Sequence, residues 1–318
     1  MVIAGPTASG KSALALALAR GLAPRFRGEI VNADSLQLYV GMDIGSAKVP
    51  LEERQGIPHH LFDVRNPNEV FTAGEYSRLG RNLLEEIRTR HALPILVGGA
   101  GFYLKALFDG LAPGPTRDSS YREELMALEA REEGALHRAL ALVDSDAASR
   151  IHANDTNKLI RALEVIHNTQ KPLSEMYSAP TEKLQNFRAL WIGLEPEREA
   201  LRARIAERTE HMFAQGLIDE VVRLRALGYG PEAKAMESVG YKQVQAYLEG
   251  TMTLAAAKDD ITLRTRQYAK RQLTWFRKET ASRPIHWLKG FGHEAAIQAQ
   301  AESLSKQFLG DPIENSFR

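Results

Sequence analysis

The chain has 318 residues, 44% of them hydrophobic and 25% charged, with a formal net charge of +1 and no cysteine. That length holds one large domain with an insertion, or two domains. The absence of cysteine excludes disulfides, cysteine-ligated zinc, iron–sulfur clusters and a cysteine nucleophile, and fits a reducing compartment. A near-neutral chain is no polycation, so any nucleic-acid site must come from local basic patches. No apolar run reaches the length of a membrane span, and the N-terminus is not a signal peptide.

Val2–Ala4 reads as a buried strand. It is short for one, so a few further residues are expected to precede it. The next segment, Gly5, Pro6, Thr7, Ala8, Ser9, Gly10, Lys11 and Ser12, has the pattern G-x-x-x-x-G-K-[ST] and leads into a helix over 11–20 rich in Ala and Leu. Such a loop points successive backbone N–H groups at an anion at a helix N-terminus. Lys11 adds a positive charge and Ser12 offers a hydroxyl to Mg²⁺. The pattern predicts a di- or triphosphate ligand and leaves its identity open, with an ATP-dependent kinase as the default.

A second strand over 29–33 ends at Asp34, and a third, Leu93–Val97, ends at Gly98 and Gly99, with a helix over 72–89 between them. Strands alternating with helices predict a parallel α/β sheet whose ligand lies at the carboxyl ends of the strands. Gly5, Asp34 and Gly98 then converge on one crevice. A carboxylate there holds Mg²⁺, acts as a general base, or caps the next turn. The small residues from Gly41 to Ala47 suggest backbone lying close to a ligand.

From about Ala112 the pattern becomes helical and charged. Ser120 and Glu123 have the spacing of a capping box, Asp155 is placed to cap another helix with Leu159, Leu163 and Ile166 on one face, and Lys171-Pro172 closes it. This predicts a helical insertion over 112–183 within an α/β core of 1–111 and 184–318. A strand near 188–194 rejoins the sheet, and long helices run from 197 to about 280.

In the last of these, Arg264, Tyr268, Arg271, Trp275 and Lys278 share one face, while Ala269, Leu273 and Phe276 form a core face. Basic residues interleaved with aromatics suit an RNA surface, and equally a solvated basic face with half-buried aromatics. His59 and His60 point apart in an extended segment, which argues against a shared metal and for packing and hydrogen bonding.

Several segments carry a resemblance: GPTASGKS, VNADSLQLYVGMDIGSAKV, PHHLFDV, VGGAGFYLKAL, DTNKLIRALEVIHNTQKPLSEM, ESVGYKQV and RQYAKRQLTWFR. In this order, over about 5–290, they resemble the bacterial tRNA dimethylallyltransferase family. The resemblance implies a P-loop NTPase-like parallel sheet flanked by helices, with an all-helical insertion involved in tRNA binding. It implies transfer of a dimethylallyl group from dimethylallyl diphosphate to the exocyclic N6 amine of the adenosine 3′ of the anticodon in tRNAs that read UNN codons. Diphosphate leaves. The implied cofactor is Mg²⁺, held at Ser12. The implied partner is the tRNA anticodon stem-loop, with no membrane and no obligate protein partner, in a cytoplasmic monomer.

By resemblance, the glycine loop cradles the diphosphate with Lys11 and Ser12, and Asp34 is the base. Arg208 reaches the diphosphate, although pairing with Glu207 or Glu210 is the alternative for that arginine. The tRNA contacts fall on Asp34, Ser35, Leu36, Gln37, Ala100, Arg122, Asn157, Lys158, Leu159, Ile160, Arg161, Glu237, Ser238, Val239, Gly240, Tyr241 and Lys242. Three positions depart from the family. Ala100 stands where a threonine is usual, Val40 where a basic residue is common, and Lys242 where arginine is usual. The competing readings are a small-molecule P-loop kinase, a transferase acting on free adenine nucleotides, and a non-catalytic RNA-binding protein.

Overall fold

In the computed structural model, which describes residues 1–23, 25–112, 114–115, 117–176 and 181–310, six strands form one sheet in the order β3-β2-β4-β1-β5-β6. They are β1 (Val2–Ala4), β2 (Gly28–Asn32), β3 (His59–His60), β4 (Leu93–Val97), β5 (Trp191–Leu194) and β6 (Ile285–Leu288). Every pairing is parallel. β1, β2 and β5 are buried along their whole length, as expected of a parallel sheet covered on both faces.

Glu29 is the exception in chemistry, a carboxylate 1% exposed inside β2. Burial alone would raise its pKa. Hydrogen bonds from Arg90 (2.8 Å) and His60 (2.7 Å) outweigh that and hold the carboxyl below its ordinary range. His60 is occupied by this pairing, while His59, on the opposite side of the two-residue strand, turns its Nδ1 to the Ile57 carbonyl at 2.8 Å.

The chain divides into two compact units, 1–108 with 184–318, and 109–183. In the first, α1 (Lys11–Gly21), α2 (Ala73–Thr89) and α3 (Gly101–Asp109) alternate with the early strands. Thr72 and Glu75 close a capping box at the start of α2. The second unit is helical: α4 (Ser119–Arg131), α5 (Ala135–Val143), α6 (Ser145–Arg150), α7 (Thr156–Thr169) and α8 (Leu173–Met176). Asp155 caps α7. The start of α4 differs from the sequence reading: Asp118, not Ser120, is the cap, because its carboxylate accepts the Tyr121 amide at 3.1 Å.

After β5 come α9 (Arg198–Ala214), α10 (Leu217–Ala226), α11 (Tyr241–Leu248), α12 (Leu254–Glu279) and, beyond β6, α13 (Ala295–Gly310). The sequence reading omitted β3, β6 and α13. β3 is only two residues long, and β6 is four residues long and buried only at its ends, Ile285 and Leu288, too short to stand out. Among the described residues, no helix is long and apolar enough to cross a membrane.

Candidate active site

The 5–12 loop turns through positive φ at Gly5, Ala8 and Gly10. Its residues Thr7, Ala8, Gly10, Lys11 and Ser12 wall a cavity of about 480 Å³. Asp34, at the end of β2, and Arg204 and Arg208, on α9, line the same space. Lys11 Nζ donates to the Pro6 carbonyl at 2.8 Å. Burial lowers its pKa to about 8; Asp34 opposes the shift and Arg208 adds to it. The Arg208 guanidinium is likewise pushed down by burial, with Asp34 opposing and Arg204 reinforcing. Its contacts to Thr7 Oγ1 (3.4 Å) and the Ser46 carbonyl (3.5 Å) are long. It forms no ion pair with a described carboxylate, so the pairing with Glu207 or Glu210 is not seen. The site gathers buried positive charge: among the described residues neither Lys11 nor Arg208 forms an ion pair, although Asp34 and Glu207 line the same cavity.

A second cavity, about 360 Å³, adjoins the first, and Thr7, Asp34, Ser46 and Arg208 line both. Its other walls include Ser35, Leu36, Tyr103, Ser238, Val239, Gly240 and Tyr268. Asp34 therefore stands on the boundary. One oxygen, Oδ1, accepts the amides of Leu36 (2.8 Å) and Gln37 (3.4 Å). This is a local turn. The other oxygen, Oδ2, accepts no hydrogen bond from the described residues, so the carboxylate is oriented by one atom and free at the other.

The segment from Gly41 to Lys48 forms the facing wall. Gln37 Nε2 donates to the carbonyls of Ser46 (3.1 Å) and Ala47 (3.2 Å). Glu220, 1% exposed, accepts the amides of Asp43, Ile44 and Gly45 at 2.8–3.2 Å and the Tyr241 hydroxyl at 2.7 Å. Buried Lys48 bonds the Tyr39 carbonyl at 2.9 Å and pairs with Asp43 and Asp63 at 2.6 Å each. This polar frame escaped the sequence reading, because Glu220 and Lys48 lie far apart in the chain.

Gln272 on α12 escaped it too. Its Oε1 accepts the Thr7 amide at 2.8 Å and its Nε2 donates to the Gly99 carbonyl at 3.0 Å. A Cβ on Gly99 would stand 1.9 Å from that nitrogen, so any other residue there would displace the Gln272 amide.

Within the IPP transferase description, a family model matches residues 37–279. A tRNA dimethylallyltransferase from Solibacter usitatus is 50% identical over 310 residues, 98% of this chain and 99% of that one. One from Geobacter sulfurreducens is 47% identical over 93% of this chain and 94% of the other. The chain belongs to the tRNA dimethylallyltransferase family. The fold of this transferase is also that of a tRNA isopentenylpyrophosphate transferase from Bacillus halodurans (36% identity, TM-score 0.70, 98% and 96% of the two chains covered). A eukaryotic dimethylallyltransferase acting on tRNA aligns with TM-score 0.80 at 29% identity, over 98% of this chain and 80% of its own. These are P-loop NTPase-like sheets, in keeping with the parallel order described above.

Several residues that the resemblance assigned to RNA are placed otherwise in this transferase. Tyr241 is fully buried on Glu220. Leu159 and Ile160 lie in the core of the helical unit with Leu136, Leu140 and Leu163. Their side chains are unavailable to RNA. Arg122 makes a two-point pair with the buried carboxylate of Glu164 (2.7 and 3.0 Å), and Arg161 joins it. Burial would raise the Glu164 pKa, but these cations and the Asp118 amide bring it down to about 2. Asn157, Lys158, Glu237 and Lys242 are exposed, with Lys158 beside Asp155 and Glu237 beside Lys234. Ala100 lines neither cavity, and its amide donates to the Ala33 carbonyl at 3.0 Å.

On α12, Arg264, Arg271 and Lys278 are exposed. Tyr268 instead walls the second cavity, and Trp275 packs so closely on Gly101 that a Cβ there would meet its ring at 2.2 Å. Trp275 is half-buried and packs against the core.

Proposed function

We propose that this enzyme transfers a dimethylallyl group from dimethylallyl diphosphate to the N6 amine of the adenosine 3′ of the anticodon in tRNAs reading UNN codons, releasing diphosphate. The observation that carries this reading is the position of Asp34 and Arg208 on the common wall of two cavities, one ringed by cations and the glycine loop. The donor's diphosphate takes the first cavity. The acceptor adenine, flipped out of the anticodon loop as base-modifying enzymes require, takes the second.

The C1–O bond of the donor breaks and its electrons pass to the diphosphate. Lys11, Arg208 and the loop amides stabilise that charge as it grows. A bond forms from N6 to C1, and the proton leaving N6 passes to the free Oδ2 of Asp34. The bonds from Leu36 and Gln37 keep the carboxylate aimed while this happens.

Among the described residues, no group of three His, Cys, Asp or Glu is arranged to hold a metal. A phosphate-bound Mg²⁺ needs no such cage, since one or two protein oxygens plus substrate phosphates and water complete its shell. The Ser12 hydroxyl, on the wall of the same cavity, fits that donor set. When bound, Mg²⁺ supplies further neutralisation of the diphosphate.

For the tRNA we assign Ser35, Leu36, Ser238, Val239 and Gly240 to the acceptor cavity. Asn157 and Lys158, exposed in the first turn of α7, suit a phosphate of the stem-loop. A cytoplasmic monomer is part of this reading, and the tRNA substrate supports the cytoplasmic location. The test is nucleoside mass analysis of unmodified tRNA incubated with dimethylallyl diphosphate, without ATP. A gain of one dimethylallyl group on adenosine is expected; no product without ATP would overturn the reading.

A further inference from the structure

The donor cavity contains one cation to which neither the sequence nor the family resemblance assigns a role. Arg204 lies one turn before Arg208 on α9 and lines the same cavity. It forms no ion pair with a described carboxylate, whereas its neighbour Arg202 pairs with Glu199 at 3.1 Å. Its guanidinium is nevertheless held. It lies over the Phe291 ring, 5.2 Å from the centroid, and its Nη1 is 3.3 Å from His293 Nε2. Arginine can only donate, so in this contact His293 Nε2 is the acceptor.

Phe291 and His293 belong to the loop after β6, and that loop is seated on the glycine loop itself. The Gly292 amide donates to the Ser9 carbonyl at 2.9 Å. A Cβ on Gly292 would stand 2.3 Å from the Gly10 carbonyl oxygen, so the two backbones touch with no space for a side chain. Phe291 packs against Ala8, Leu201, Ile205 and Ala269, which joins the glycine loop, α9 and α12 in one small cluster.

We infer that Arg204 is a second guanidinium ligand of the donor diphosphate, and that the 290–293 loop positions it. The inference rests on the proposed reading of the first cavity as the diphosphate site. A guanidinium that forms no ion pair with a described carboxylate, stacked on an aromatic ring and held by a histidine nitrogen, is arranged to meet an anion. The 290–293 loop lies outside the span of the family match.

The test is calorimetric titration of the full-length protein with inorganic diphosphate in Mg²⁺ buffer, and separately with an unmodified anticodon stem-loop. Arg204→Gln should weaken diphosphate binding about tenfold, and His293→Ala about threefold, since charged hydrogen bonds are the strong ones. Stem-loop affinity and the thermal midpoint should stay at parental values in both. Arg204→Lys should bind diphosphate between the parent and Arg204→Gln, as a point charge without the fork. Parental diphosphate affinity in Arg204→Gln, with Arg208→Gln weakened, would overturn the inference and leave the cavity reading standing. Parental affinity in both variants would remove the cavity reading as well. An equal loss of stem-loop affinity in Arg204→Gln would make it an RNA contact and also overturn the inference.

Discussion

Gln272 joins the glycine loop to the end of β4: its side chain accepts the amide of Thr7 at 2.8 Å while donating to the Gly99 carbonyl at 3.0 Å. Both donor and acceptor of one buried amide are used, and the amide comes from a helix more than 250 residues along the chain from Thr7. Gln272→Leu removes both bonds and leaves the Thr7 amide without a partner, while the Gly99 carbonyl keeps only the Gly101 amide at 3.0 Å. The expected cost is about 2–4 kcal/mol of stability, measured by urea unfolding. The Michaelis constant for the donor should rise, because Thr7 lines both cavities.

Asp34→Asn separates chemistry from architecture. The asparagine carbonyl can still accept the Leu36 amide, so the turn is kept, but it cannot take a proton from N6. Turnover should fall by about 10²–10⁴, the usual worth of a positioned base, with stem-loop binding unchanged. A variant with parental turnover would remove Asp34 as the base.

Lys11 sets a pH limit on donor binding. Burial depresses its pKa to about 8 in the free enzyme. Below that pH the ammonium is in place; above it the free enzyme has lost the proton, and a bound diphosphate must recover it. Donor affinity should therefore decline as pH rises from about 8 toward the ordinary lysine range near 10.4. Over that window binding should take up a proton, which calorimetry in buffers of different ionisation enthalpy detects.

The helical unit has its own acid limit. Glu164 has a folded pKa of about 2, below the ordinary value, so its stabilising pairs are intact above about pH 4.5 and are lost as pH falls toward 2. Arg122→Met, which leaves the carboxylate buried with one fewer cation, should destabilise this unit by about 3–5 kcal/mol. Chemical unfolding followed by hydrogen exchange over 119–169 would register it. If stem-loop affinity falls with no loss of protection, Arg122 serves the RNA instead.

Ala100→Thr restores the hydroxyl usual in the family at the residue whose amide meets the Ala33 carbonyl beside Asp34. A rise in kcat/KM for prenyl transfer is expected. An unchanged or lower value would show that this enzyme supplies the missing contact from elsewhere.

Local sequence determined the parts that depend on neighbours in the chain. The glycine loop, β1, β4, the cap at Asp155 and the ordered family segments were legible because turn chemistry, apolar runs and motif spacing act over a few residues. The placement of Asp34 at a strand end followed from the same local pattern. The tertiary structure alone decided which of the residues carried over from the family face a cavity. Tyr241, Leu159 and Ile160 fall in family-like segments yet point into cores. A motif does not reveal which of its side chains the packing will bury. The supports of the site, Gln272 on Thr7, Glu220 on the 43–45 amides and the 290–293 loop on Gly10 and Arg204, were illegible for one physical reason. Each satisfies a buried polar group or fills space across a long separation in sequence, and such pairings exist only once the sheet has brought its strand ends together.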